Sequence, residues 1–302
     1  MNHQQLTTFC TVLGEGSMTA AADKLFLTQP AVSQQIRNLE EDLGVNLLER
    51  GVRKVKPTLQ GQLLFDYARK ILHLTQQAEV AIQTMSQELS GNLRIGTQNS
   101  IGLFLISPIV GLFLKHNSRL NIKLIYGTPE SIIDEMKKGE IDIAILPDTQ
   151  VEFGQSVDDQ YESKFLLKDE MWLVGTGKDP SLPKTISMNQ FTSRPIIYYS
   201  EMYNAFRKQL ENKLEETNAQ FIPVFEADNV GTLKRVIESG LGWGFLPSFS
   251  IRKQVRTGRL SHVMVEDLMF AVNINLYSKK TAESRKMSEV FYRALYQQTL
   301  NQ

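Results

Sequence analysis

The stretch from Ser17 to Gly61 constrains the fold more than any other part of the chain, because it contains two short helical patterns close together. Ser17 is a good N-cap for the first helix, and Thr28 is a good N-cap for the second. Pro30 falls in the first turn of the second helix, where a missing N–H costs little. The stretch therefore predicts a helix-turn-helix.

The second helix combines one apolar stripe with polar side chains on its other faces. The stripe consists of Val32, Ile36 and Leu39. A helix-turn-helix places the N-terminal residues of such a helix against base edges in the major groove of DNA. Gln pairs with adenine, Arg pairs with guanine, and an apolar group contacts the thymine methyl. The predicted DNA-binding residues of this helix are Thr28, Gln29, Pro30, Ser33, Gln34 and Arg37.

A short basic segment follows the second helix. Residues 47–50 and 54–56 alternate like two short strands around a turn, which predicts a β-wing. Wing arginines can reach the minor groove or the phosphates, so Arg50, Arg53 and Lys54 complete the predicted DNA-binding set. Taken separately, the two helical patterns could be packed core helices, and the basic segment could be a solvated surface. The helical pair followed by the basic segment favours a winged helix-turn-helix.

Four groups of residues carry a resemblance to a known family: Gly16–Ala22, Thr28–Glu40, Arg50 with Arg53, and Thr58–Gly61. They resemble the N-terminal winged helix of LysR-type transcriptional regulators. Leu47-Leu48 stands where that family usually shows Leu-Phe, a change within the predicted core. The resemblance implies a regulator that binds double-stranded DNA at an inverted-repeat operator, with RNA polymerase as a further candidate partner.

Composition excludes several function classes. Lys+Arg and Asp+Glu number 33 each, so any DNA affinity must come from local patches rather than from net charge. The single cysteine, Cys10, excludes an intramolecular disulfide and a cysteine-rich zinc site, and its apolar neighbours predict a small buried residue. The four histidines are scattered, so neither a zinc site nor a nucleophile–base pair is predicted.

The glycines of Gly240–Gly244 superficially suggest a dinucleotide-binding loop. They follow a predicted helix and precede a predicted strand, which is the reverse of the required context. We expect them to end the helix and to let the next strand pack closely. The chain is therefore not expected to be an enzyme, and no catalytic residue, cofactor or metal is predicted.

The sequence predicts a cytoplasmic protein with no membrane partner. The N-terminus lacks the basic region and apolar stretch of a signal peptide. The longest apolar run, Ile101–Leu114, is broken by Ser107-Pro108 and is too short to span a bilayer.

One long helix is predicted from Thr58 to Leu89, a stretch without proline. Two stripes repeat along it every seven residues: Leu64, Ile71, Ala78 and Met85, and beside them Tyr67, Leu74 and Ala81. One small domain can hardly bury both stripes, so an intermolecular seam resembling a short coiled coil is favoured over an ordinary domain-spanning helix. The resulting dimer would read an inverted repeat. The resemblance to LysR-type regulators further implies that two such dimers can form a tetramer.

From Asn92 onward the pattern changes to alternating strands and helices. The β-α-β-α-β order over residues 93–146 predicts a parallel sheet with helices on both faces. The polar segment 150–159 is predicted to cross to a second α/β unit, and the chain ends with a strand and a helix. Two such lobes resemble periplasmic solute-binding proteins. LysR-type effector domains share that architecture, so the resemblance covers essentially the whole chain.

The predicted fold class is α+β and multidomain. It combines a winged helix-turn-helix over residues 1–57, a linker and dimerisation helix over 58–90, and a two-lobed α/β effector-binding domain over 91–302. Lobe I would comprise about 91–161 plus 268–302, and lobe II about 162–267.

A ligand of such a domain binds beyond the C-terminal ends of the strands. In the LysR-like pattern, the loop after the first strand and the Thr128 loop line the effector cleft. The candidate effector-binding residues are Gln98, Asn99, Ser100, Thr128, Pro147, Tyr199, Ser200, Asn229 and Pro247. Three of them, Ser100, Thr128 and Ser200, are also good N-caps, which explains their presence equally well without a ligand.

The six loops at these strand ends contain neither Lys nor Arg, whereas Asp148, Glu201 and Asp228 lie in them, with tyrosines and a phenylalanine nearby. A carboxylate effector would have to rely on backbone N–H groups and helix dipoles alone. We therefore hypothesise a neutral or cationic effector, with an aromatic one as a further option. Two other functions stay open: a small-molecule-binding protein whose N-terminal helices only mediate assembly, and a DNA-binding regulator without an effector.

Overall fold

The computed structural model describes residues 1–49, 55–85, 89–154, 157–179, 181–266 and 268–299. The chain divides into two compact units, Met1–Gln83 and Thr84–Gln302.

The helices of the N-terminal unit, as far as its residues are described, are α1 (His3–Glu15), α2 (Met18–Leu25), α3 (Gln29–Leu43) and α4 (Leu59–Met85). Side chains cap the first three helices, as the sequence predicts for Ser17 and Thr28. The predicted stripe of α3 is fully part of the core, where it packs with Phe9, Val12 and Leu47. Cys10 is half-buried against that core rather than fully buried.

The base of the predicted wing is present in the structure. Leu48 and Pro57 form an antiparallel bridge, and the Glu49 backbone nitrogen donates to the Lys56 carbonyl oxygen at 2.9 Å. Leu48 is buried, as expected of a core residue in this position. The predicted DNA-binding residues Arg50, Arg53 and Lys54 lie outside the described residues.

The long predicted helix is observed as α4, with Thr58 as its cap: the Gly61 backbone nitrogen donates to the Thr58 hydroxyl at 3.0 Å. One face of α4 packs on the N-terminal core through Phe65. Of the seven-residue stripes, Leu64 also packs against that core, whereas Tyr67 and Leu74 are more than half exposed.

The first lobe of the C-terminal unit has the predicted β-α-β-α-β order. It begins with β1 (Ser90–Thr97), α5 (Asn99–Ile101), a π-helical segment (Gly102–Ile106) and α6 (Ser107–His116). It continues with β2 (Arg119–Tyr126), α7 (Pro129–Lys137), β3 (Ile143–Pro147) and α8 (Thr149–Phe153). Strand β1 lies between β2 and β3 and pairs parallel with both.

The first predicted helix of this lobe is present and continues through Ser107-Pro108. The chain stays helical from Asn99 to His116, because the π-helical segment and a hydrogen bond from the Ser107 hydroxyl to the Gly102 carbonyl accommodate the proline. By length and composition this stretch could cross a membrane. Ile101, Ile106 and Phe113 are, however, buried within the C-terminal unit, as in a core helix.

The predicted crossing over residues 150–159 was also misplaced. Residues 149–153 form α8, and the chain passes to the second lobe within β4 (Tyr161–Thr176). This long strand pairs with β10 (Ala271–Lys279) along its first part, and with β8 (Gly244–Pro247) and β9 (Leu260–Val265) along its second part. A single strand therefore belongs to both lobes.

The second lobe continues after β4 with β5 (Thr185–Ile186), α9 (Met188–Thr192), β6 (Ile196–Tyr199), α10 (Asn204–Glu216), β7 (Pro223–Ala227) and α11 (Val230–Glu238). Helix α12 (Ser248–Arg256) follows β8, and α13 (Ala282–Thr299) ends the described chain. Gly240 ends α11 with a positive φ of 88°. A Cβ at Gly244 would lie 2.4 Å from the Ile197 carbonyl oxygen, which confirms that these glycines permit close strand packing.

Candidate functional site

Helix α3 presents its predicted DNA-binding residues on the surface. Its core stripe is buried, whereas Gln29, Pro30, Gln34 and Arg37 are exposed and Ser33 is half-buried. The side chain of Thr28 accepts the Ala31 backbone N–H and fixes the start of the helix. A helix that buries one stripe and exposes a polar N-terminal half is suited to enter a groove.

Side-chain hydrogen bonds order this exposed face. The Gln29 amide donates to the Ser33 hydroxyl at 2.8 Å, and the Arg37 guanidinium donates to the Gln34 side-chain oxygen at 3.0 Å. The Gln34 amide donates to Asn38 Oδ1 at 2.7 Å. Asn38 was missed by sequence reasoning, although its spacing of four residues from Gln34 places both on one face.

The neighbouring glutamine faces the other way. Gln35 accepts a hydrogen bond from the hydroxyl of the buried Thr8 in α1. Adjacent glutamines on α3 therefore have different surroundings, since Gln34 is exposed and Gln35 holds two helices together.

Two pairs of candidate effector residues meet between the two lobes of the C-terminal unit. The Asn229 amide donates to Asn99 Oδ1 at 3.4 Å, and the Ser100 side chain lies close enough to the Tyr199 hydroxyl to lower the pKa of that phenol, against the rise that burial causes. Asn99 and Ser100 follow β1, whereas Tyr199 ends β6 and Asn229 caps α11. The structure therefore brings four of the nine candidates together from opposite lobes.

The remaining candidates have local structural roles. Thr128 caps α7, and Gln98 is a buried residue at the start of α5. Pro147 ends β3, and Pro247 ends β8 immediately before α12. The Ser200 carbonyl accepts a hydrogen bond from the Arg207 guanidinium.

Two carboxylates, Glu201 and Asp228, lie near each other at the second-lobe side of this boundary. Burial raises the pKa of Glu201, and the nearby Asp228 carboxylate raises that pKa further. Burial also raises the pKa of Tyr199, and the same two carboxylates add to that effect. A cation placed beside these groups would relieve their mutual repulsion.

A lysine reaches the lobe boundary as well. Lys234 Nζ lies 4.3 Å from the centroid of the Phe104 ring in the first lobe and donates to the Ser250 carbonyl oxygen at 2.9 Å. The side chain is only 9% exposed, and burial lowers its pKa. The expectation that a carboxylate effector would find backbone groups alone considered only the loops, whereas this cation lies within α11. The sequence did contain a sign that Lys234 is buried. It falls in the helical stripe that also contains the apolar residues Val230, Leu233 and Ile237.

Two family models match the chain and together span most of its length. The model described as bacterial regulatory helix-turn-helix protein, lysR family, matches residues 3–62, and the LysR substrate binding domain model matches residues 86–299. The chain belongs to the LysR family. As a LysR-type protein it is a DNA-binding transcriptional regulator with an effector-binding domain, which confirms the family and fold class predicted from the sequence.

Relatives of this LysR-type regulator align over nearly its whole length. A probable RuBisCO transcriptional regulator of Trieres chinensis is 26% identical and covers 97% of this chain and 96% of its own. The nitrogen assimilation regulatory protein nac of Escherichia coli is 29% identical, with coverages of 91% and 88%.

Solved structures show the same fold. Full-length BenM is 26% identical, covers 98% of this chain and 96% of its own, and superposes with a TM-score of 0.52. DarR of Vibrio fischeri in complex with DNA is 21% identical, with coverages of 96% and 98% and a TM-score of 0.52.

Proposed function

We propose that this LysR-type regulator reads an inverted-repeat operator in double-stranded DNA with the exposed face of α3. The observation that carries the proposal is the ordered polar row from Gln29 to Arg37 opposite a buried stripe. Gln29, Pro30, Ser33, Gln34 and Arg37 contact base edges, and Arg50, Arg53 and Lys54 of the wing hold the backbone or the minor groove. The protein acts in the cytoplasm as a dimer or dimer of dimers, with RNA polymerase as a candidate partner.

Two adjacent glutamines offer a matched test. An operator would first be selected from random duplexes, and fluorescence anisotropy would then measure affinity for it and for single-base variants. Gln34→Ala should relax base preference at one position by about 1–3 kcal/mol. Gln35→Ala should leave base preference unchanged, because Gln35 contacts α1. Equal base preference in wild type and Gln34→Ala would contradict the placement of α3.

The wing contributes through charge rather than through base recognition. Lys54→Ala should weaken binding to all sequences and reduce the slope of log affinity against log salt by about one unit. Anisotropy titrations at several salt concentrations measure that slope. An unchanged slope would mean that Lys54 makes no phosphate contact.

We further propose that a neutral or cationic small molecule, with an aromatic group as an option, binds between the lobes. Asn99, Ser100, Tyr199 and Asn229 supply hydrogen bonds, and the two carboxylates at the second-lobe side attract positive charge. Lys234 already donates to a carbonyl and lies over an aromatic ring, so its charge is partly engaged. A ligand that binds one lobe arrangement better than another shifts the equilibrium by that difference in affinity.

Isothermal titration with matched sets of anionic, neutral and cationic ligands tests the effector class. Cations should bind wild type more tightly than Glu201→Gln, and Lys234→Met should retain their binding. Tight binding of dicarboxylates alone, lost in Lys234→Met, would overturn the proposed class and identify the lysine as the anion site. A thermal-shift screen complements the titrations, because a ligand of the folded state raises apparent stability.

A further inference from the structure

The turn between α2 and α3 contains an aromatic residue in an unusual backbone conformation. Phe26 caps the C-terminus of α2 with φ 55° and ψ 39°, in the left-handed region. The Leu27 backbone nitrogen donates to the Ala22 carbonyl at 2.9 Å, the bond that defines this kind of helix ending. Glycine or asparagine adopts this conformation at low cost, whereas a bulky residue is strained there.

Among the residues that the structure describes, none packs on the Phe26 side chain in a way that would offset this strain. The Phe26 side chain is 96% exposed, although it is one of the largest apolar groups in the N-terminal unit. The neighbouring Leu27 makes the apolar contact with the core instead. The phenyl ring therefore costs folding stability without contributing to the core.

The position of the ring relates it to the DNA-reading helix. Phe26 precedes the N-cap Thr28 by two residues and Gln29 by three, so it lies within about 11 Å of chain from the first proposed base contact. A helix-turn-helix brings the N-terminus of its second helix into the major groove, and the turn arrives with it. In that groove, the apolar group available to an aromatic side chain is the C5-methyl of thymine.

We propose that Phe26 is a specificity-determining residue that contacts a thymine methyl at the edge of the site read by α3. This inference rests on the proposed placement of α3 in the major groove. The ring extends the apolar contact begun by Pro30 toward the outside of each half-site. If the exposed ring instead binds another protein, the affinity for DNA will not depend on Phe26.

The test replaces Phe26 with asparagine, which suits the left-handed conformation and removes the ring. Anisotropy would compare full-length wild type and Phe26→Asn on the selected operator, and on duplexes in which one thymine at a time is replaced by deoxyuridine. At one thymine in each half-site, loss of the methyl should weaken wild type about three- to fivefold, the effect of one buried methyl group. Phe26→Asn should bind the thymine operator with the same loss and should be insensitive to uridine at that position.

Two controls separate loss of a DNA contact from misfolding: the stability of Phe26→Asn and the DNA affinity of a second variant. Phe26→Asn should unfold no earlier than wild type, because it relieves strain. Leu43→Asn, at the far end of α3, removes another exposed apolar group and should leave affinity unchanged. If Phe26→Asn binds as wild type does, or weakens binding equally at every thymine and uridine, the inference is overturned. A changed base preference in Gln34→Ala in the same experiment would show that the placement of α3 still holds.

Discussion

The Glu152 carboxylate of α8 accepts a hydrogen bond of 2.7 Å from the backbone nitrogen of Asn204, the first residue of α10. It also accepts from the Ala205 backbone nitrogen at 3.4 Å. Tyr203 precedes α10 without capping it through its side chain. A nearly fully buried carboxylate from the first lobe therefore caps a helix of the second, where the helix dipole favours negative charge.

Removal of this cap should destabilise the C-terminal unit. We expect Glu152→Ala to lower the free energy of unfolding by about 1–3 kcal/mol, because two helix N–H groups lose their partner in a buried place. Glu152→Gln should cost less, since its amide oxygen still accepts. Urea unfolding followed by the fluorescence of Trp172 and Trp243 measures both values.

Glu130 provides the control for that cap. Its carboxylate is exposed and lies 3.4 Å from the Asn204 side chain, so Glu130→Ala should change stability by less than about 0.5 kcal/mol. Equal losses in Glu130→Ala and Glu152→Ala would argue against a special role for the backbone cap.

A second buried carboxylate gives stability a defined pH dependence. Asp169 in β4 is fully buried and accepts hydrogen bonds from Ser248 Oγ, the Phe249 backbone nitrogen and the Tyr203 hydroxyl, at 2.7, 3.0 and 2.8 Å. Burial raises its pKa to about 6, and the hydrogen bonds oppose that rise. The folded protein therefore holds a proton between about pH 4 and 6 that the unfolded chain has released.

The sign of the effect follows from that raised pKa. Protonation of Asp169 contributes stability that is fully present below about pH 4 and is lost as pH rises through about 6. The stability of wild type relative to Asp169→Asn should therefore fall over this window, by up to about 3 kcal/mol, and stay constant above it. Urea unfolding at four pH values from 4.5 to 7.5 measures the difference. Glu266→Gln, at an exposed carboxylate of the same lobe, should keep the wild-type profile. Parallel curves for wild type and Asp169→Asn would refute the assignment.

Local periodicity predicted much of the fold. The sequence predicted the caps Ser17 and Thr28, the apolar stripe of α3 and the parallel order of β1 to β3. Each of these features depends on residues close in sequence or on a short repeat. Short elements such as β5 and α9 were missed because they contain too few residues to show a period. The crossing was misplaced because a strand shared by two lobes has no local signature.

The candidate site was predicted in part for the same reason. Loop residues at strand ends could be named from topology, and the structure joins Asn99 to Asn229 and Ser100 to Tyr199. Glu152 and Asp169 could not be found, because their partners are 52 and 79 residues away in the chain. Such pairings depend on tertiary folding rather than on any repeat.

A glycine in α4 should be intolerant of any side chain. A Cβ at Gly61 would lie 2.0 Å from the Leu47 carbonyl oxygen, which is backbone and cannot move aside. We expect Gly61→Ala to destabilise the N-terminal unit by about 1–3 kcal/mol, although alanine is the better helix former. Gly14→Ala in α1, which has open space around the new methyl, should instead stabilise by about 0.5–1 kcal/mol. Hydrogen exchange of peptides from residues 1–49 measures both, and similar protection in the two variants would contradict the steric argument.

The exposed stripe of α4 should carry self-association. Leu74 is 64% exposed, and Tyr67 and Ile71 beside it are exposed as well, so the stripe lacks a cover within the part of the chain that the structure describes. In a symmetric dimer each substitution occurs twice, and the loss of two buried leucines should raise the dissociation constant of the dimer at least about 100-fold. Leu74→Glu should therefore sediment as a monomer at concentrations at which wild type is oligomeric. Gln62→Glu adds the same charge on another exposed face of α4 and should sediment as wild type does. If the Leu74→Glu variant is still oligomeric, this stripe is not the dimer interface. Helix α4 would then be an ordinary domain-spanning helix.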